Sequence, residues 1–122
     1  MDWSKYQPIF QPDEFRCKCG CGMVGMRSDH MDMLYKARTI AGFPFVINSG
    51  FRCIAHNRRV GGSYNSDHLG GYGTDIRCND GGTRWAMVEA LKEAGFRRIG
   101  IARTFVHAGN DPANPHDVIW VY

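Results

Sequence analysis

The run Ser66-Asp67-His68-Leu69-Gly70-Gly71-Tyr72-Gly73-Thr74-Asp75 places an imidazole and a carboxylate seven positions apart across a glycine-broken turn. Histidine nitrogen and aspartate oxygen both suit zinc, and a catalytic zinc site uses three protein ligands with a fourth position open to water. By spacing alone, His68 and Asp75 read either as the polar residues of an ordinary glycine-rich turn or as two of three ligands, the third lying elsewhere in the chain. Glycines 70, 71 and 73 let the backbone turn tightly and approach an ion or substrate closely. Thr74-Asp75-Ile76-Arg77 then alternates as a strand does, with Asp75 and Arg77 on one face and Thr74 and Ile76 on the other.

Working outward, Pro44-Phe45-Val46-Ile47-Asn48-Ser49 reads as a buried strand that delivers Arg52 just beyond a Gly turn. Cys53 to Arg59 suits a short helix carrying His56 as a surface or capping residue. A longer helix is predicted from Ser28 or Asp29 to Ala41, closed by Gly42, with Met31, Leu34 and Ala37 inward. A second is predicted from an N-cap at Thr83 to Ala94, closed by Gly95, with Met87, Val88, Leu91 and Ala94 inward. Arg98 to Ala102 and Thr104 to His107 read as paired strands joined at Arg103, with Phe105 and His107 on one side; Val118 to Tyr122 is the last strand. Residues 1–27 carry many turn signals and read as irregular, apart from one helical turn at Pro12-Asp13-Glu14-Phe15. The sum is an α+β fold, two main helices against a small, mostly antiparallel sheet.

Three elements in order resemble the zinc peptidases that cut D-amino-acid bonds in bacterial cell walls. Ser66-x-His68-x-x-Gly71-x-Gly73-x-Asp75 is similar to their Ser-x-His-x-x-Gly-x-Ala-x-Asp signature, Ser49-Gly50-Phe51-Arg52 to Ser-Gly-Tyr-Arg, and Phe105-Val106-His107 to Phe-Ile-His. The group includes D-alanyl-D-alanine carboxypeptidases, L-alanyl-D-glutamate endopeptidases of phage endolysins and, as a structural cousin, the hedgehog signalling domain. The resemblance covers residues from about 45 to the C-terminus. It implies a hedgehog/D,D-peptidase-like fold and one Zn2+ ion held by His68, Asp75 and His107, with an activated water as nucleophile. It also implies that Arg52 contacts a substrate carbonyl or carboxylate and that Ser66 helps hold the substrate. Read without it, Arg52 is a salt-bridge partner and Ser66 a turn-capping hydroxyl. The implied substrate is the peptidoglycan stem peptide, cut as a D,D-carboxypeptidase or as an L-Ala-D-Glu endopeptidase of phage or prophage type.

The chain departs from the family where a proton must move. Members place Glu, Asp or His three positions before the last metal histidine, and here stands Thr104; they place Asp two positions after it, and here stands Gly109. Asp111 and His116, on the following loop, are the candidates for proton transfer. The missing acid motivates an alternative, a non-catalytic zinc module that recognises wall fragments or a protein partner.

With 122 residues, 43% apolar and 22% charged, the chain suits one globular domain over 1–122. A net charge of +3 and a pI near 8.7 favour anionic polymers in general. The Arg58-Arg59 and Arg97-Arg98 pairs are too short and scattered for a nucleic-acid surface, and a monomer is expected from size and absent heptads. No membrane span or secretory signal is read, so synthesis in the cytoplasm and access to the wall through another factor are expected. Five cysteines are expected to be reduced thiols. Cys17-Lys18-Cys19-Gly20-Cys21 with His30 is the alternative of a second, structural zinc, although Cys-x-Cys-x-Cys fits a tetrahedron poorly. Cys53 and Cys78 are expected near each other as buried small side chains, without a bridge.

Overall fold

The computed structural model describes residues 1–122. Three helices, α1 (Ser28–Ala41), α2 (Ile54–Arg59) and α3 (Gly81–Ala94), accompany five strands. The strands are β1 (Ile47–Ser49), β2 (Gly73–Arg77), β3 (Arg98–Ile101), β4 (Phe105–Gly109) and β5 (Val118–Val121), in sheet order β1-β2-β4-β3-β5. All pairs are antiparallel except β3–β5, which is parallel. The α+β expectation holds, and the last strand's direction is the addition. The loop through Pro112 and Pro115 passes the Arg98 end of β3, so β5 starts where β4 stops and runs parallel to β3.

Period-two alternation gives the sheet two chemically different faces. Thr74, Ile76, Val106, Ala108 and Ile99 are buried, and the apolar members among them join Met31, Leu34, Met87 and Leu91 in one core. Asp75, Phe105, His107, Arg98 and Trp120 share the opposite face and line a cavity. Both long helices end on glycine in the left-handed region, Gly42 (φ 76°) and Gly95 (φ 116°), as the sequence predicts. Their starts differ from expectation. Arg27 is the N-cap of α1, without a side-chain bond, and the N-cap of α3 is Asp80, whose carboxylate accepts from the Thr83 N–H. A β-region Asp before Gly81-Gly82 caps as well as Thr83 would, and starts the helix three residues earlier.

The N-terminal segment is irregular but not peripheral. Its two short 3-10 turns, Trp3–Lys5 and Pro12–Phe15, place Tyr6, Phe10 and Phe15 in the core. The Phe15 carbonyl accepts the Phe51 N–H at 3.0 Å, tying this segment to the loop after β1. Cys78 is buried, whereas Cys53 lies with Cys17, Cys19 and Cys21 and not beside it; α2 carries Cys53 away from β2 at its N-cap position. His56, on α2, is half-buried with its Nδ1 lacking a partner.

His30 is fully buried between α1 and the sheet, so it does not serve the cysteines. Its Nδ1–H donates to Asn110 Oδ1 and its Nε2 accepts from Thr74 Oγ1, both at 2.7 Å, and the ring meets Phe96 edge-on. Burial drives its pKa down to about 4, against the pull of the Asn110 bond. The unfolded value is about 6.5, so between these limits the unfolded chain binds the extra proton and stability rises with pH. The contribution is complete above about pH 6.5 and lost as pH falls towards 4, about 3 kcal/mol at 1.36 kcal/mol per unit. Urea titrations of the metal-free protein should show this loss in wild type and not in His30→Gln. Equal losses in both would assign the slope to other groups.

Candidate metal centre

The site is assembled by strand register. Asp75 and His107 face each other across the β2–β4 ladder, and Ser49 pairs with Asp75 from β1. His68 arrives from a 3-10 turn, Asp67–Gly70, whose N-cap Ser66 accepts the His68 N–H on its hydroxyl at 3.2 Å. Gly71 closes the turn at φ 79°, and a Cβ there would collide with the Gly25 carbonyl. Of the three glycines expected to admit an ion or substrate, Gly71 instead admits the protein's own N-terminal segment, and Gly73 packs against Asp67 and the His68 backbone.

Each histidine has one nitrogen fixed. His68 Nδ1–H donates to the Gly50 carbonyl at 2.6 Å, leaving its Nε2 3.2 Å from Asp75 Oδ1. His107 Nε2–H donates to Asp67 Oδ2 at 2.8 Å, leaving its Nδ1 2.8 Å from Asp75 Oδ1. The three ligand atoms lie within 4.8 Å of one another, and all three side chains are buried. With the outer nitrogens already donating, two imidazole lone pairs and a carboxylate oxygen point at one centre. Such a cluster is repulsive unless a proton or a cation sits among them, and the two-nitrogen, one-oxygen donor set is one zinc accepts. Outer hydrogen bonds of this kind are what orient metal-binding histidines. The residues present fit the ion.

The electrostatics agree. Burial pushes the His68 pKa down, outweighing its bond to Asp75, so the ring is neutral. Burial also opposes charge on His107, but Asp67 and Asp75 outweigh it and raise its pKa; without a cation this ring bridges the two carboxylates. Burial alone would raise Asp75 and Asp67. Bonds from His107 and His68 hold Asp75, and bonds from His107 and Arg98 hold Asp67, well below the carboxylate range.

Arg52 lies beside the centre. Its Nε donates to Ser49 Oγ at 3.1 Å, its Nη1 to Asn57 Oδ1 and its Nη2 to Asp75 Oδ2, both at 3.3 Å. A guanidinium has five N–H groups, so two remain free. Arg52, Ser66, Asp67, His68, Asp75, Arg98 and His107 border a cavity of about 440 Å³, walled on one side by Phe105, Trp120 and Tyr122 and on the other by the Val60–Ser63 loop. The indole of Trp120 lies 5.5 Å from the His107 ring and under the Arg98 guanidinium. Burial raises the Tyr122 pKa, so its phenol keeps its proton.

Two candidates stand apart. Asp111 reaches the site only through its backbone N–H, 3.3 Å from Asp67 Oδ1; its carboxylate accepts from the Ala113 N–H and faces Gly70, outside the cavity wall. His116 is likewise outside, its Nδ1–H donating to the Asn114 carbonyl. Thr104 is exposed, before the first residue of β4.

The residue that sequence reasoning passed over is Asp67. Beyond His107, its carboxylate accepts from Arg98 Nε at 3.1 Å, Arg98 Nη2 at 3.2 Å and Asn114 Nδ2 at 3.4 Å. It occupies the space that the missing side chain of residue 109 leaves open: a Cβ on Gly109 would collide with the Asp67 carboxylate and come within 2.9 Å of His107 Nε2. The signal was present as a pair, an acid beside His68 and a glycine two positions after His107.

Fold and donor set together define a site that could hold a metal ion at the base of an open cavity, built on the polar face of an antiparallel strand pair. The sequence model of the peptidase M15 family matches residues 8–109, and the chain belongs to that family. It is also similar to the zinc D-Ala-D-Ala carboxypeptidase of Streptomyces albus G, with 36% identity over 56 residues, 46% of this chain and 22% of that enzyme. The matched stretch thus spans about a fifth of the relative's length. No helix is long and apolar enough to cross a membrane.

Proposed function

We propose that this protein is a zinc-dependent peptidase of the peptidoglycan stem peptide, acting first on the terminal D-Ala-D-Ala bond. The observation that carries the proposal is the convergence of His68 Nε2, Asp75 Oδ1 and His107 Nδ1 beside an arginine with two uncommitted N–H groups. Zinc held by these three atoms would polarise a scissile carbonyl and bring the pKa of a water towards neutrality. Arg52 is held from three sides, so its free N–H groups form a fixed fork for a substrate carboxylate or carbonyl. Arg98 is committed to Asp67 and the Pro115 carbonyl and anchors the site. Phe105, Trp120 and the protonated Tyr122 give a wall of apolar surface with one phenol donor, suited to small side chains on a polar backbone. Ser66 lines the cavity while its hydroxyl caps the His68 turn, so both readings of that residue have support.

One observation favours a second reading, a zinc module that binds muropeptides without cleaving them. The only carboxylates in the cavity wall are Asp67 and Asp75, both ion-paired and both poor proton acceptors near neutrality. Digestion of a pentapeptide muropeptide with zinc-loaded protein separates the readings. Release of D-Ala, abolished by a chelator and restored by zinc, supports the carboxypeptidase. New L-Ala and D-Glu ends identify the endopeptidase, and binding without products leaves the module. Arg52→Lys keeps the charge but loses the fork; it should raise KM about 10- to 100-fold, the effect of about 1.5–3 kcal/mol for a charged hydrogen bond. An unchanged KM would remove Arg52 from substrate binding.

A further inference from the structure

Outside the cavity, four of the five cysteines come together. Cys17, Cys19, Cys21 and Cys53 bring their sulfurs within 4.8 Å of one another, with Cys17–Cys19 at 3.5 Å and Cys19–Cys53 at 3.6 Å. We propose that these four thiolates hold a second, structural zinc ion, separate from the His68, Asp75 and His107 centre.

Two of the sulfur–sulfur distances, 3.5 and 3.6 Å, are near those of tetrahedral corners, and the rest lie within 4.8 Å. Zinc–sulfur bonds of about 2.3 Å put the sulfurs of a four-thiolate site about 3.8 Å apart, whereas a disulfide would draw one pair to about 2.05 Å and leave the others unmatched. Cys-x-Cys-x-Cys is too tight for an extended chain to wrap an ion. Here Gly20 (φ 89°) and Gly22 (φ 81°) turn the backbone through the left-handed region, and the Cys17 N–H closes the loop onto the Met23 carbonyl at 2.8 Å. Three sulfurs thereby face the fourth, which comes from the N-cap of α2. Backbone N–H groups already serve the sulfurs, Cys53 N–H to Cys17 Sγ and His56 N–H to Cys53 Sγ, each at 3.4 Å. Such bonds offset thiolate charge around a metal. Cys21 is exposed and Cys19 half-buried, which leaves the ion a way in.

The site clamps the N-terminal segment to the loop carrying Arg52, the residue immediately before Cys53. Its role is to hold the substrate side of the cavity, not to react.

Elemental analysis of the whole protein, purified without chelator, tests this. Two zinc ions per chain are expected in wild type and in Cys78→Ser, and one each in Cys21→Ser and His68→Ala. Four thiols should resist a thiol reagent until a chelator is added. Cobalt(II) exchanged into wild type and His68→Ala should give intense thiolate charge-transfer absorption, lost in Cys21→Ser. Should Cys21→Ser fail to fold, the wild-type and His68→Ala spectra still decide. A single zinc removed by His68→Ala, with the four thiols freely reactive or joined as disulfides, overturns the proposal. A single zinc removed by Cys21→Ser alone upholds it and sinks the catalytic centre instead.

Discussion

His68→Ala should lose one equivalent of zinc and reduce muropeptide cleavage to the blank, while the protein stays folded. The choice of ligand matters. Removing His107 would strip a partner from two buried carboxylates, Asp67 and Asp75, and an uncompensated buried charge destabilises by several kcal/mol. Removing His68 leaves Asp75 paired with Arg52 and His107, and Asp67 paired with Arg98 and His107. What it removes is one imidazole lone pair and the donor to the Gly50 carbonyl. Two remaining ligands do not make a catalytic zinc site, which uses three. Zinc content, cleavage and circular dichroism on one preparation give the answer. Full activity with zinc retained would mean that the histidine merely packs against the Gly50 turn.

Much of this site could be read in the sequence because its parts are local. The run from Ser66 to Asp75 carries two ligands and the glycine that lets them meet, and the alternation of β2 and β4 puts Asp75 and His107 on one face. The helices were legible from Gly42 and Gly95, whose left-handed caps are chemically specific. What escaped was what depends on distance through space. Cys53 and the Cys17–Cys21 loop are more than thirty residues apart, and nothing in their spacing says that α2 presents one sulfur to three others. His30 looked available as a ligand, but a histidine on the inner face of α1 is committed to Thr74 and Asn110. Asp111 is near the site in sequence, yet its own turn consumes the carboxylate. Asp67 was hidden for the opposite reason. It sits inside the motif at a position the family pattern leaves unspecified, and only the empty Cα of Gly109 shows what it does.

Asp67→Asn should therefore damage both metal binding and stability. The carboxylate accepts the His107 Nε2 proton, and that bond selects the tautomer whose Nδ1 lone pair faces Asp75. An amide oxygen is a weaker acceptor, and a rotated amide would point an N–H at an N–H. Loss of such an outer partner weakens metal affinity about 10- to 100-fold. Arg98 suffers as well, since its Nε and Nη2 both bind this carboxylate in a nearly dry setting, with side-chain exposures of 11% and 2% for the pair. Breaking a buried ion pair from one side is worth about 3–5 kcal/mol of stability. The two effects separate experimentally. Zinc affinity by competition with a chromophoric chelator reads the His107 orientation, and urea unfolding of the metal-free protein reads the stranded arginine. The double variant Asp67→Ala/Gly109→Asp removes the side chain that a Cβ at 109 would meet and supplies a carboxylate from β4 instead. Recovery of zinc affinity in the double variant would show that His107 needs an acceptor at that point in space, whichever strand or turn provides it. Affinity unchanged in Asp67→Asn would reduce Asp67 to a partner of Arg98 alone.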